Sequence, residues 1–238
     1  MTSPYNLDIQ SDCNKCSFRS ERPFCDLSEE AVAELDSIKF TSVYPKGALL
    51  FAEGEKPRGV FIVCSGRVKL LTRSLEGRTM ILRIAEPGEV LGLSSTVGNR
   101  PYEVGAETLE PCQINTVRRD DFLRFITKHV DACIHSAESL AASYNAAQRE
   151  VRTLGLSSTT AERLARLLLD WAEHAESTNG DIRFQVLLTH EEIAEMIGTT
   201  RETVTRSLAD LKKKKMLEIR GSTFVLTDKP ALEKMVSI

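Results

Sequence analysis

The pattern of apolar and polar positions changes character along the chain. Residues 1–27 are polar with little periodicity, and a short helix is predicted from Glu29 to Ile38 with Ser28 as its N-cap. From Lys39 to about Val117, short β-type runs alternate with recurring glycines. Short strands separated by glycine turns predict an antiparallel β-barrel or jelly roll over residues 28–118.

Beyond Arg119 the apolar period becomes that of a helix. Apolar and small residues recur at spacings of three and four, like the a and d positions of a coiled coil: Val130, Ile134, Ala137, Ala141, Tyr144, Gln148 and Val151. The series is longer than a local core requires, so residues 119–155 are predicted to form a dimerisation helix that ends near Gly155. The alternative is one helix packed on its own barrel.

Residues 156–238 are predicted to form a second domain. Ser157 is expected to open a helix, and residues 178–181 to form a turn. Thr189 and Glu192 then make a capping box for a further helix. After the turn at Gly198, Thr199 or Thr200 caps a second helix that runs to about Lys214. Two short strands, 217–220 and 222–226, follow as a wing, so the pattern indicates a winged helix-turn-helix that binds double-stranded DNA.

The start of the second helix carries the candidate base-reading side chains. Arginine reads guanine in the major groove, and glutamate accepts a hydrogen bond from cytosine, which points to Arg201, Glu202 and Arg206. The alternative for Glu202 is a capping role or an ion pair with Arg206 one turn later. The basic run 212–215 would suit phosphate contacts. We assign the DNA contact to six residues: Thr189, Thr200, Arg201, Glu202, Thr203 and Arg206.

Composition and charge narrow the class of protein. The chain is 42% hydrophobic and 27% charged with a net charge of -3, so DNA contact requires a local basic patch. No apolar run reaches the roughly 18 residues of a membrane helix, and the N-terminus resembles no secretory signal. We therefore expect a cytoplasmic protein without a membrane partner. The four histidines, including His174, are scattered and no catalytic motif is evident, so we do not expect an enzyme.

Clustered cysteines carry the remaining candidate chemistry. Cys13 and Cys16 form a Cys-x-x-Cys pair, Cys25 follows after eight residues, and Cys112 closes the predicted β-domain. In a reducing compartment such thiols more often bind metal or do redox chemistry than form disulfides. Cys64 and Cys133 are expected to be packing residues. A metal-binding or redox-active segment beside a DNA reader indicates a sensing transcription factor, and an iron–sulfur electron-transfer protein is the alternative of a different class.

Several motifs in one order resemble the cyclic-AMP receptor/FNR family of bacterial regulators. They are Pro45-Lys46-Gly47, Leu50-Phe51-x-x-Gly54, Phe61-Ile62-x-x-Ser65-Gly66, Pro87-Gly88-Glu89 and Arg201-Glu202-Thr203-Val204-x-Arg206. The resemblance implies an α+β chain with a cyclic-nucleotide-binding-like β-barrel, a dimerisation helix and a winged helix-turn-helix. It also implies a homodimer on inverted TGTGA-like half-sites, with RNA polymerase as a partner if the protein is an activator.

The resemblance leaves the effector to be decided between two branches. In the nucleotide-binding branch a glutamate holds ribose and an Arg-Ser pair holds phosphate, but this chain has Leu93 and Arg100-Pro101 at those places. In the FNR branch three N-terminal cysteines and one cysteine from the barrel hold a [4Fe–4S] cluster. The resemblance therefore implies that the cluster ligands are Cys13, Cys16 and Cys25 of segment 1–27 and Cys112 of the barrel. Because the Cys16–Cys25 spacing exceeds that of the family's type member, zinc or a thiol switch stays open.

Overall fold

A computed structural model describes residues 5, 7–156, 159–173, 175–178 and 181–236. Ser157, His174, Asn179 and Gly180 lie outside the described residues. The chain divides into two compact units, Met1–Ala146 and Ala147–Ile238. No helix in the described part of the chain has the length and apolar character needed to cross a membrane.

The first unit opens with three short 3₁₀ turns, Cys13–Lys15, Arg19–Glu21 and Pro23–Cys25, followed by helix α1, Glu29–Ile38. The helix begins where the sequence predicts, because the Ser28 side chain accepts a hydrogen bond from the Ala31 N–H. The buried face of α1, formed by Ala31, Val32 and Leu35, packs towards the sheet that follows.

Eight strands form two four-stranded antiparallel sheets with one core between them. Their bounds are β1 Lys39–Tyr44, β2 Leu49–Phe51, β3 Gly59–Ser65, β4 Val68–Arg73, β5 Thr79–Ala85, β6 Val90–Leu91, β7 Gly105–Thr108 and β8 Cys112–Arg118. The sheet orders are β1-β8-β3-β6 and β2-β7-β4-β5. Phe51 stacks on Tyr102 at 4.1 Å and contacts Phe61 at 5.1 Å between ring centroids. The predicted jelly roll is therefore confirmed as a β-sandwich.

The outer face of the sheet that contains β3 is also covered. Val60 and Ile62 belong to a second apolar cluster with Phe24, Leu27 and the buried face of α1, whereas Phe61 and Val63 face the sandwich interior. Successive side chains alternate between the two faces of a strand. Strand β3 is consequently apolar at nearly every position, because both of its faces are buried.

The predicted dimerisation segment 119–155 contains two helices rather than one. Helix α3 is Arg119–Lys128 and helix α4 is Val130–Leu156, and the chain is extended at His129 (φ -108°, ψ 109°). Phe122 and Phe125 hold α3 against the sandwich, and the buried His129 ring lies 5.1 Å from that of Phe125. The break follows because α3 must stay on the sheet.

Helix α4 leaves the predicted seam open to solvent. Its Ala132 and Ser136 are buried, whereas Val130 (72%), Ile134 (51%), Tyr144 (64%) and Val151 (70%) are exposed. The helix ends at Leu156, one residue after the predicted break at Gly155.

The second unit contains α5 Thr160–Glu173, β9 Glu176–Thr178, β10 Asp181–Gln185, α6 His190–Ile197, α7 Arg201–Lys213, β11 Leu217–Arg220, β12 Thr223–Leu226 and α8 Lys229–Val236. The predicted wing, β11 and β12, belongs to a four-stranded sheet of order β11-β12-β10-β9. Strand β10 is packed by aromatic side chains, since the ring of Phe184 lies 6.1 Å from that of Phe224 and 6.2 Å from that of Trp171, and β9 pairs with β10.

Candidate functional site

The cysteine-bearing segment is fastened to the outer face of the sandwich by a side-chain amide. Gln113 on β8 donates from Nε2 to the Gln10 carbonyl at 2.7 Å and accepts from the Gln10 N–H at 2.8 Å. Further along, Arg22 crosses Gly88, where a Cβ atom would stand 2.9 Å from the Arg22 Cβ. The φ of Gly88 is +97°, so only glycine suits both the conformation and the close approach.

Helix α1 fastens the same segment from the other side. The Cys13 N–H donates to Asp36 Oδ1 at 2.7 Å, and Lys39 Nζ contacts the same oxygen at 2.5 Å. Lys39 also donates to the Ser11 carbonyl at 2.8 Å. These contacts place Cys13 between the sheet and α1, with Asn115 Nδ2 at 3.9 Å from its Sγ.

Four cysteines line one cavity of about 30 Å³ between this segment, α1 and the sheet: Cys13, Cys16, Cys25 and Cys64. Arg19 and Arg22 also contribute to its wall. The structure therefore brings together the three N-terminal cysteines that the sequence predicts as ligands. The fourth thiol in the cavity is Cys64, which the sequence reading assigned to packing.

Cys112 is not in this cavity. It is fully buried in the sandwich interior with Phe51 and Ile114, and its Sγ lies 3.1 Å from the Glu110 carbonyl and 3.3 Å from the Arg67 carbonyl. On β8 the neighbours Gln113 and Asn115 face the cysteine segment, so the alternation of the strand turns Cys112 to the opposite face. The structure therefore places Cys112 apart from the three cysteines with which the sequence predicts it to share a cluster.

Cys133 also departs from its predicted role. It is exposed on α4 rather than packed. Among the residues that the structure describes, no three His, Cys, Asp or Glu side chains converge closely enough to hold a single metal ion. The four cavity cysteines surround a space instead of meeting at one point.

Burial disfavours the ionised form of three of the cavity thiols, Cys13, Cys25 and Cys64. It raises the pKa of Cys13 and of Cys64 to about 12, and that of Cys25 to about 11, although the Arg22 guanidinium partly opposes the shift at Cys25 and Cys64. These thiols are therefore neutral at pH 7 in the metal-free chain. Binding iron or zinc would require their deprotonation, so protons would be released as the metal enters.

The place where related sensor domains hold a nucleotide is built differently here. Leu93, at the start of helix α2 (Leu93–Gly98), is buried in the apolar cluster that contains Phe24, and Arg100 is exposed. Beneath this helix the Tyr102 hydroxyl donates to the Gly59 carbonyl at 2.8 Å and accepts from the Arg58 N–H at 3.0 Å. Leu93 is thus a buried apolar residue, where the resemblance to the nucleotide-binding branch would require a ribose acceptor.

The helix-turn-helix forms as the sequence predicts. Thr189 and Glu192 make the capping box of α6, and Gly198 ends that helix in the left-handed conformation (φ 64°). Thr200, rather than Thr199, caps α7 by accepting from the Thr203 N–H. Three residues predicted as the small core are buried: Ile193, Ile197 and Val204. The Arg163 guanidinium of α5 also supports the turn, by donating to the Ile197 carbonyl at 2.7 Å.

The start of α7 presents the predicted reading residues to solvent. Arg201, Glu202 and Arg206 are exposed, and Arg206 Nη2 lies 3.4 Å from Thr203 Oγ1. The pKa of Glu202 is lowered by its own backbone N–H and by the Thr200 hydroxyl, which gives the carboxylate a capping contact. The sequence reading missed Thr205, also exposed, whose Oγ1 lies 2.9 Å from His190 Nδ1. Lysines 212–215 are exposed at the far end of the helix.

A β-sandwich sensor domain, a long helix and a winged helix-turn-helix in one chain define a DNA-binding transcription regulator. Two domain models match: a cyclic nucleotide-binding domain over residues 41–129 and a Crp-like helix-turn-helix domain over residues 162–235. The chain thus carries, in this order, the two domains that make up transcription regulators of the CRP/FNR family.

Curated relatives and solved structures agree with this assignment. The CRP-like cAMP-activated global transcriptional regulator of Mycobacterium tuberculosis is 28% identical over 192 residues, which are 80% of this chain and 85% of that protein. A variant of CooA from Carboxydothermus hydrogenoformans superposes with a TM-score of 0.76 at 26% identity, covering 88% of this chain and 93% of the other. FixK2 from Bradyrhizobium japonicum shares the fold, with a TM-score of 0.73 at 23% identity over 84% of this chain and 98% of its own.

Proposed function

We propose that this regulator senses oxygen or redox state through a [4Fe–4S] cluster held by its N-terminal cysteines and a cysteine of the sandwich. The observation that carries the proposal is the cavity that four cysteines line between the N-terminal segment, α1 and the sheet. Four thiolates are the ligand set of such a cluster. When bound, the cluster would supply a group whose integrity depends on oxygen.

The donor set suits a cluster better than a single zinc ion. Zinc binds thiolate sulfur at about 2.3 Å, so its four sulfurs must converge on one centre. The four cavity thiols line a space, and within the described residues no three metal-binding side chains converge in that way. Arg19 and Arg22 in the cavity wall place positive charge near the thiolates, which favours a net negative group.

Helix α1 offers a mechanical route from the cavity to the dimerisation helix. At its C-terminal end Asp36 accepts a hydrogen bond from the Cys13 N–H. Two residues earlier, Glu34 Oε2 contacts His129 Nε2 at 2.9 Å and Lys128 Nζ at 2.6 Å. At its N-terminal end the Ser28 N–H donates to Asp131 Oδ2 at 2.7 Å. Rearrangement of the cysteine segment would thus reach both the break at His129 and the first turn of α4.

The exposed seam of α4 supports a homodimer in this mechanism. A stripe of apolar and alanine side chains at coiled-coil spacing is left in solvent by a single chain. A two-fold dimer would present two α7 helices to successive major grooves, so the proposed target is an inverted repeat. The resemblance of Arg201, Glu202 and Arg206 to the family's reading residues implies that its half-sites are TGTGA-like. RNA polymerase would be a partner only if the protein activates transcription.

A cyclic nucleotide is the second candidate effector, because a relative named a cAMP-activated regulator and the matching nucleotide-binding domain model favour it. The buried Leu93 and the exposed Arg100 argue against it, since a ribose hydroxyl would lack its acceptor there. Binding of cyclic AMP is therefore measured alongside the metal content.

The test is the composition of protein purified without oxygen. We expect brown protein with broad absorption in the blue, about four iron and four sulfide per chain, and bleaching in air. Colourless protein with stoichiometric zinc would contradict the proposal. So would micromolar binding of cyclic AMP that tightens DNA binding in the absence of iron.

A further inference from the structure

We propose that Cys64, and not Cys112, is the sandwich cysteine that completes the cluster site. The inference rests on the proposed cluster and names its fourth ligand. Three features of the described residues support this inference. They are the face of the sheet on which each thiol lies, a bulge in β3, and the backbone contacts that the Cys112 sulfur already makes.

The first feature is the face of the sheet. On β3, Ile62 lies in the outer cluster with Phe24, and Cys64, two residues on, lines the cavity. Cys112 is packed in the interior with Phe61 and Val63. The sheet itself thus separates Cys112 from the N-terminal cysteines, and a strand cannot turn one side chain to its other face without a shift of register.

A bulge in β3 lies at Cys64. Val63 pairs with Ile114 and Ser65 pairs with Gln113, so Cys64 is the extra residue between two successive pairs. Bulges redirect a side chain at the point where they interrupt the ladder. This one gives Cys64 freedom to adjust towards a ligand without breaking the pairing between β3 and β8.

The surroundings of the two thiols differ in the same sense. Cys64 lines the same cavity as Cys13, Cys16, Cys25 and Arg22. Cys112 Sγ contacts two backbone carbonyls, and a Cβ on the adjacent Gly66 would stand 2.6 Å from that sulfur. Cys112 is therefore a core residue whose sulfur is already in contact with backbone on the interior side of the sheet.

The experiment compares Cys64→Ser with Cys112→Ser, each reconstituted anaerobically with iron and sulfide, with Cys133→Ser as the exposed control. The readouts are iron and sulfide per chain and the visible circular dichroism spectrum. We expect the iron and sulfide content of Cys64→Ser to be lower than that of the unmodified chain by a factor of about ten or more. Cys112→Ser and Cys133→Ser should match the unmodified chain.

Stability is measured in parallel, because Cys112 is in the core. If Cys112→Ser does not melt cooperatively, Cys112→Ala replaces it, since alanine removes the sulfur without adding a polar group. A folded Cys112 variant that loses the cluster, or a Cys64→Ser variant that keeps it, would overturn the assignment and leave the proposed function intact. An unmodified chain that takes up no iron and sulfide would overturn both.

Discussion

The glutamine that fastens the cysteine segment gives the account a quantitative test. Replacing Gln113 with leucine keeps most of the side-chain volume and removes both hydrogen bonds to the Gln10 backbone, 2.7 Å and 2.8 Å long. A neutral hydrogen bond contributes about 0.5–1.5 kcal/mol net, so the pair is worth about 1–3 kcal/mol to docking of the segment. At tenfold per 1.4 kcal/mol, the undocked population should rise by about 5- to 150-fold.

Limited proteolysis of the metal-free protein measures that population. Trypsin can cleave after Lys15 and Arg19, and when opening is fast the cleavage rate follows the fraction of open segment. Cleavage in this segment should be about 5- to 150-fold faster in Gln113→Leu than in the unmodified chain. The control is Gln185→Leu, which replaces an exposed glutamine of the other unit and should leave the rate unchanged. An unchanged cleavage rate in Gln113→Leu would show that this amide does not hold the segment.

Three further predictions follow from exposed residues. Arg206→Ala should cost roughly 1–3 kcal/mol of specific DNA binding and relax the preference at one G·C position, which binding-site selection measures. Lys213→Ala should weaken binding to all DNA sequences alike and reduce the dependence of affinity on salt, which a salt titration measures. Ala141→Glu, in the exposed seam, should shift the chain towards monomer in sedimentation, and its neighbour Ala142→Glu should do so less; equal effects would refute the seam. In metal-free protein the exposed Cys133 should be alkylated before the buried Cys64 and Cys112, and earlier labelling of Cys64 or Cys112 would contradict their burial.

Local signals predicted most of the fold, since caps and turns depend on neighbours in sequence. The Ser28 and Thr189 caps and the Gly198 turn are such features, and each is present in the structure. The break at His129 could not be found in this way, because it depends on Phe125 packing against a distant sheet and on Glu34 of another helix. Tertiary contacts, not helix propensity, decide where α3 stops.

The site was only partly predictable, for a physical reason. The close spacing of Cys13 and Cys16 indicates a metal or redox site whatever the surrounding fold. Which further cysteine can join them depends on the face of the sheet on which its side chain lies. One signal was present in the sequence: polar Gln113 and Asn115 alternate with Cys112 and place it on the opposite face. No such signal marks Cys64, because both faces of β3 are apolar and its alternation is hidden.

The central claim is that the state of the cysteine site controls DNA binding, and one titration tests it directly. A single anaerobic preparation is bound to an inverted repeat of TGTGA-like half-sites before and after measured exposure to air, and iron content is determined on the same samples. We expect affinity to fall as iron is lost, by about 5- to 150-fold when no iron remains. Equal affinity in the iron-loaded and iron-free samples would contradict it.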